Sequence, residues 1–171
     1  MFARGARASL RLGVAPGIRA SLGGDDMEVT TSRFGTIQAP ASDILLFEQG
    51  LIGLRHCRQW IVLADEQNPA LAWLQCLDDA EMALGVVSPR RFVPDYQLRV
   101  SSQDLAPLGL AATGDATVVA IVNRHAEGLS LNLRAPLVIN VAARRGRQIV
   151  AKDGAPIRLM LTSSDAIRKS A

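Results

Sequence analysis

From residue 34 onward, apolar and polar positions alternate over short stretches separated by glycine, proline or acidic clusters at nearly even spacing, the pattern of successive antiparallel strands. Residues 34–38 alternate, and residues 43–47 follow as a second strand that ends at the turn Glu48, Gln49, Gly50. Residues 51–57 are short and glycine-broken, which predicts a single turn or a 3₁₀ segment rather than a helix. Residues 60–63 and 71–76 are two β-rich runs around a turn at residues 65–69, where Asn68 precedes Pro69; they read as a hairpin. Asp78 and Asp79 mark the next turn, before a strand over residues 82–87.

Residues 88–94 read as an irregular loop, because Pro89 and Pro94 remove ladder donors. Residues 96–100 alternate cleanly and predict another strand. Ser101 with Asp104 opens the one credible helix, a hydroxyl cap with an acid in the first turn, and Pro107 and Gly109 hold it to about two turns. Strands are then expected over residues 117–122, 129–133, 137–141 and 148–151. The fold class is mostly β: a small antiparallel β-barrel or strongly curved sandwich of about ten short strands with one short helix. No strand–helix alternation suggests a parallel sheet.

Composition changes the picture at the amino terminus. Residues 1–26 are rich in Arg, Ala, Gly and Ser, with Arg4, Arg7, Arg11 and Arg19 facing only Asp25 and Asp26. Their low apolar content cannot offset the entropy of ordering, so they are expected to be a disordered or mis-assigned extension before Met27, although the composition also resembles an organelle transit peptide. A single β domain is expected over residues 27–161 and a frayed tail over 162–171. Setting the first 26 residues aside leaves 15 basic and 14 acidic residues of the 19 and 16 in the whole chain, a nearly neutral body that gives direct nucleic-acid binding little support. Aromatic content of 4% argues against a base-stacking platform, and no apolar run is long enough to span a membrane. Nearly half the residues are apolar, enough for a core without disulfide or metal; Cys57 and Cys76 are expected to be reduced, partly buried thiols.

Reactive groups are sparse. His56 beside Cys57 suggests a nucleophile pair, but chain neighbours usually point apart and such a pair also needs an orienting group. His56 and His125 lack metal-ligand spacing, and the glycines form no phosphate loop. Asp78 and Asp79 suit a solvated turn. Trp73, in mid-strand, is expected in the core with its N–H satisfied nearby. The arginine patches are Arg90 with Arg91, and Arg144, Arg145 and Arg147; they read equally as partner contacts and as edge charge that blocks strand pairing. Phe92, Pro94 and Tyr96 beside the first patch make an aromatic and proline loop suited to anchoring a partner or to covering the end of the β body.

The order of these segments resembles the FliW family of flagellar assembly factors. The pieces that carry the resemblance are Arg33, Phe34, Gly35 and Ile37; Ile44 to Gly53; Trp73, Leu74 and Gln75; Pro94, Asp95 and Tyr96; Asn132 to Asn140 with Ala135 and Pro136 inside it; and Gly146, Arg147, Gln148 and Ile149. The likeness covers about residues 31–159, and the stretch Asn132 to Asn140 is the most specific piece. Leu54 stands where the family usually has an aromatic, and Cys76 where a small hydroxyl residue is common.

The resemblance implies a non-enzymatic, cofactor-free cytoplasmic protein that binds flagellin and, when released, binds and antagonises the translational repressor CsrA. That is partner switching by mutually exclusive binding. An apolar groove with a polar rim suits such partners. The candidate partner surface is Arg90, Arg91, Phe92, Pro94, Asp95 and Tyr96 with Asn132, Asn140, Arg145 and Gln148. Two other classes stay open: a small β-barrel ligand binder or hydrolase using His56, His125 or the paired aspartates, and an RNA-binding module using the arginine patches.

Overall fold

The structure, a computed structural model, describes residues 26–162. The expectations for residues 1–25 and 163–171 lie outside the described residues. Ten strands, one short helix and several 3₁₀ turns occur among the described residues. β1 (Asp26–Thr31) and β2 (Gly35–Pro40) form a separate two-stranded hairpin. The remaining strands are β3 (Leu45–Leu46), β4 (Gln59–Ala64), β5 (Leu71–Cys76), β6 (Ala83–Val87), β7 (Ala116–His125), β8 (Gly128–Asn140), β9 (Arg145–Gln148) and β10 (Leu159–Met160).

Strands β3 to β9 are hydrogen-bonded in a ring. β4, β5, β6, β7 and β8 pair antiparallel in sequence, β9 returns along the end of β8, and β3 joins β9 to β4. The β3–β9 join is the one parallel pairing of the ring, a single register pair of Leu46 with Arg145, reinforced where Leu46 N–H donates to Arg144 O at 2.8 Å. β10 lies against the first half of β8.

Alternation along the ring strands sorts side chains to two faces. Leu45, Phe47, Trp60, Leu74, Cys76, Val86, Val119, Leu137 and Ile139 share the largest buried cluster. Their neighbours Val87 and Ala120 belong to a second cluster, closed by Tyr96, Phe92, Leu98 and Leu159. Val138 packs in a third with Leu108, Ile149 and partly buried Val100 and Leu105. The end of β8 is therefore buried on both faces, which is why its sequence is a continuous apolar run.

The structure departs from the sequence reading at several points, and the strand expected over residues 148–151 lies earlier, as β9, where Arg145 to Gln148 pair with Asn140 to Leu137. Residues 129–133 and 137–141 do not form two strands but one 13-residue β8, carried through an irregularity. Its register with β7 jumps between the pairs Val119–Leu137 and Ile121–Asn132. Asn132 Oδ1 accepts from Ala135 N–H at 3.0 Å, and Pro136, which has no N–H to offer a ladder, sits in the same kink. Residues 96–100 join no ladder; their alternation answers packing instead, with Tyr96 buried and Leu98 and Val100 half-buried against the outer clusters. Trp73 is half-exposed on the outer face of β5, while Trp60 is the fully buried tryptophan. The Trp73 indole N–H is satisfied as expected, by Asp65 Oδ2 at 2.9 Å, and the Arg33 guanidinium lies 3.8 Å from the Trp73 ring centroid. β1 and β10 were missed: β1 has six residues but starts at the edge of the segment set aside and carries only Met27 and Val29 as apolar positions, and β10 has only two residues.

The helix, α1 (Ser102–Leu105), forms as the sequence dictates. Ser101 Oγ accepts from Asp104 N–H, the Asp104 carboxylate accepts from Ser101 N–H, and left-handed Gly109 ends the following 3₁₀ turn.

Candidate functional site

Asn140, at the end of β8, holds the α1 segment in place. Its side-chain amide donates to Leu108 O at 2.9 Å and Gly109 O at 3.2 Å, and its Oδ1 accepts from Ala143 N–H to shape the turn into β9. With residues 102–110 so fixed, a cleft opens on each side of them.

The larger, about 810 Å³, lies between residues 96–100 and residues 105–113. Its floor is apolar, with Leu98, Val100, Leu105, Leu110 and Val118, and Arg90 and Arg99 stand at its edge. Arg90 Nε donates to Tyr96 O at 3.2 Å, so the loop carries the guanidinium in a fixed place. Tyr96 is buried and its phenol donates to Leu133 O at 3.1 Å, pinning the loop to the β8 kink; burial pushes its pKa up to about 12, so it stays a donor.

The smaller cleft, about 570 Å³, is lined by the tight turn at residues 50–54, by Arg55 and Arg58, and by Arg145, Arg147 and Gln148 of β9. Leu51 and Leu54 exchange backbone hydrogen bonds across that turn, which leaves the Ile52 side chain exposed at its tip. Gly50 is required there: its φ is +65°, and a Cβ would meet Leu54 O at 2.6 Å. Gln148 accepts from Ile52 N–H through Oε1 at 2.8 Å and donates to Ala135 O through Nε2 at 3.0 Å, linking this turn to the β8 kink. Arg145 donates to Pro107 O at 3.2 Å and approaches Glu48 at 3.8 Å.

The candidate surface read from sequence thus divides. Arg90 and Tyr96 line the apolar cleft, whereas Arg145 and Gln148 line the arginine cleft. Arg91, Pro94 and Asp95 are exposed on the loop beside the apolar cleft, and Phe92 is half-buried under it. Asn132 and Asn140 shape the kink and the end of β8, and their side chains are engaged with the protein's own backbone. Leu98, Val100, Leu105 and Leu110 were missed as cleft residues. Their signal was the apolar spacing across α1, legible as packing but silent about its exposure.

A different cluster lies where β4 begins and β5 ends. His56 and Cys57 do not face apart as expected: the His56 imidazole, the Cys57 sulfur and an Asp79 carboxylate oxygen lie within 4.8 Å of one another. His56 Nε2 stands 3.5 Å from Asp79 Oδ2. Cys57 and Cys76 are both fully buried free thiols. Burial raises both, Cys76 to about 12, so Cys57 is held as a neutral thiol, which is unsuited to a nucleophile. Asp78 is committed to the backbone, its Oδ2 accepting from Arg58 N–H and Gln59 N–H. His125 sits at the far end of the β7–β8 hairpin against Ser130 Oγ at 2.8 Å. Among the described residues no helix is long and apolar enough to cross a membrane.

Fold and clefts together define a small mostly-β protein, a closed ring of strands with binding-sized clefts between it and its outer segments. The chain belongs to the FliW family: the family model, described as FliW protein, matches residues 28–161. It is 36% identical over 136 residues to the flagellar assembly factor FliW of Syntrophus aciditrophicus, covering 77% of this chain and 85% of that one. It is 34% identical over 129 residues to the flagellar assembly factor FliW of Bdellovibrio bacteriovorus, covering 74% of each. A crystal structure of the flagellar assembly factor FliW superposes with a TM-score of 0.73 at 23% identity, over 80% of this chain and 99% of that one, and the fold is the same.

Proposed function

We propose that this protein is a non-enzymatic cytoplasmic flagellar assembly factor that binds flagellin and, once released, binds and antagonises the translational repressor CsrA. The observation that carries the reading is the apolar cleft of about 810 Å³, held open between residues 96–100 and 105–113 and edged by Arg90 and Arg99. An amphipathic helix presents side chains at i, i+3, i+4 and i+7, and a trough floored by Leu98, Val100, Leu105, Leu110 and Val118 is complementary to that stripe. Flagellin termini are of this kind. The arginines at the rim supply orientation and on-rate more than affinity.

Partner switching then needs no chemistry. Flagellin retained in the cell occupies the factor, and its export frees the factor for CsrA by mass action. The test is direct. Purified protein is mixed with flagellin, with CsrA and with both, and complexes are resolved by size-exclusion chromatography and calorimetry. The expected result is a complex with each and displacement of CsrA by flagellin. Absence of both complexes at micromolar concentration overturns the reading, and a ternary complex overturns the mutual exclusion.

A further inference from the structure

The β4–β5 hairpin places reactive groups together in a way that neither cleft uses. Trp60 pairs with Cys76, so the same antiparallel count carried outward sets Cys57 opposite Asp79, and His56 follows Cys57. We propose that His56, Cys57 and Asp79 form a binding site for a zinc-class divalent cation, with three protein donors and the fourth position facing solvent. The donor set has the right chemistry: a sulfur, an imidazole nitrogen and a carboxylate oxygen are the ligands of choice for a borderline-soft tetrahedral ion.

The geometry supports this at each ligand. The three atoms lie within 4.8 Å of one another; bonds of about 2.0–2.3 Å would bring tetrahedral ligands to roughly 3.5 Å apart, and the His56 side chain, 61% exposed, has room to move the difference. Asp79 uses Oδ1 to accept from Glu81 N–H at 3.0 Å, which leaves Oδ2 turned toward His56. Cys57 is fixed by its own backbone: its N–H donates to Leu54 O, and its carbonyl accepts from the Trp60 indole at 3.1 Å. The exposed imidazole and half-exposed carboxylate give the ion a route from solvent to the buried sulfur. On binding, the metal–sulfur bond forms as the Cys57 S–H proton passes to solvent; no electron is transferred, and neither oxidant nor reductant is needed.

Such an ion would join the start of β4 to the turn after β5. It would also brace residues 53–58, whose Arg55 and Arg58 line the arginine cleft. The site stands independently of the flagellar reading.

Cobalt(II) is the probe. Chelator-treated full-length protein is titrated with Co²⁺, then with Zn²⁺. The expected result is a near-ultraviolet sulfur-to-cobalt charge-transfer band with visible tetrahedral bands, saturating at one equivalent and bleached by Zn²⁺. Cys57→Ser removes the near-ultraviolet band. Since that buried substitution could also unfold the protein, two milder variants decide the matter. His56→Ala alters an exposed side chain, and Asp79→Asn keeps the Oδ1 acceptor; each is expected to weaken Co²⁺ binding at least tenfold with circular dichroism unchanged. Zn²⁺ raises the melting temperature of the parent protein but not of His56→Ala. No charge-transfer band in the parent protein, or identical titrations for the parent, His56→Ala and Asp79→Asn, overturns the proposal.

Discussion

At the scale of single residues, the two most informative positions are one with no side chain and one with a charge. Gly146 in β9 is buried, and a Cβ there would meet the Phe47 ring at 2.2 Å. Phe47 is 1% exposed and packs edge-on against Trp60 with centroids 6.4 Å apart, so it has nowhere to retreat. Gly146→Ala is therefore expected to cost about 2 kcal/mol by overpacking, or roughly 5 °C in melting temperature. Phe47→Leu in the same chain should recover part of that loss. A double-mutant cycle with no coupling would mean that the ring is not the obstacle. Asp65 gives a pH prediction. Its pKa lies below the ordinary 3.8 because the Trp73 indole donates to the carboxylate, with the backbone N–H groups of Asn68 and Gln67 adding to this. A folded-state pKa below the unfolded value stabilises the fold above the unfolded value, and the contribution disappears as pH falls from there through the folded one. Asp65→Asn keeps the turn acceptor but loses the indole bond, so it should melt about 3 °C lower at pH 7, for roughly 1 kcal/mol at this half-exposed site. The gap should narrow as pH falls below 3.8, and a gap that does not change at all over that descent would refute the assignment.

At the scale of elements, β8 and the segment it holds decide the shape of both clefts. Asn140→Ala leaves Leu108 O and Gly109 O without their donor, at a cost of about 1–3 kcal/mol. Amide exchange in residues 102–110 should then accelerate while that of β4 and β5 is unchanged. Asn140→Asp should be worse at neutral pH, because a carboxylate would face two carbonyls, and should recover on acidification as the acid regains a donor. Equal exchange in all three proteins would show that the latch lies elsewhere. The same region shows what sequence could carry. The β4–β5 hairpin, the Ser101–Asp104 cap and the stop at Gly109 were legible because local geometry alone demands those residues. The continuity of β8 was not, since Asn132 and Pro136 look like strand breakers until their partners are seen to bridge the kink. Trp73 was misplaced because alternation fixes which residues share a face, not which face is inside. Of the candidate site, Arg90 and Tyr96 were legible as loop residues beside a cleft. The cleft floor was not, because the same leucines would serve a closed core equally well. His56, Cys57 and Asp79 were noticed separately, and only the hairpin register brings them together.

At the scale of the whole molecule, the ring and the cleft should fail separately. Val119 is 4% exposed in the main cluster and lies on the central strand β7, where an unpaired carboxylate costs several kcal/mol or shifts its own pKa at similar cost. Val119→Asp is expected to abolish the cooperative melt and, with it, binding of every partner. Leu110 is half-buried in the outer cluster and lines the apolar cleft, so a charge there can reach solvent without opening the ring. Leu110→Glu should lower the melting temperature by no more than about 3 °C, yet weaken flagellin binding at least tenfold, because the acid must be desolvated under an apolar helix face. Arg91→Ala, on the neighbouring exposed loop, should leave the melt unchanged and slow association with a reduced salt dependence, as expected of a charge at the rim. The melt and the affinity, measured side by side on these three variants, separate scaffold from surface. If Leu110→Glu binds flagellin as tightly as the parent protein, the apolar cleft is not where that partner docks, and the arginine cleft across residues 102–110 becomes the surface to probe.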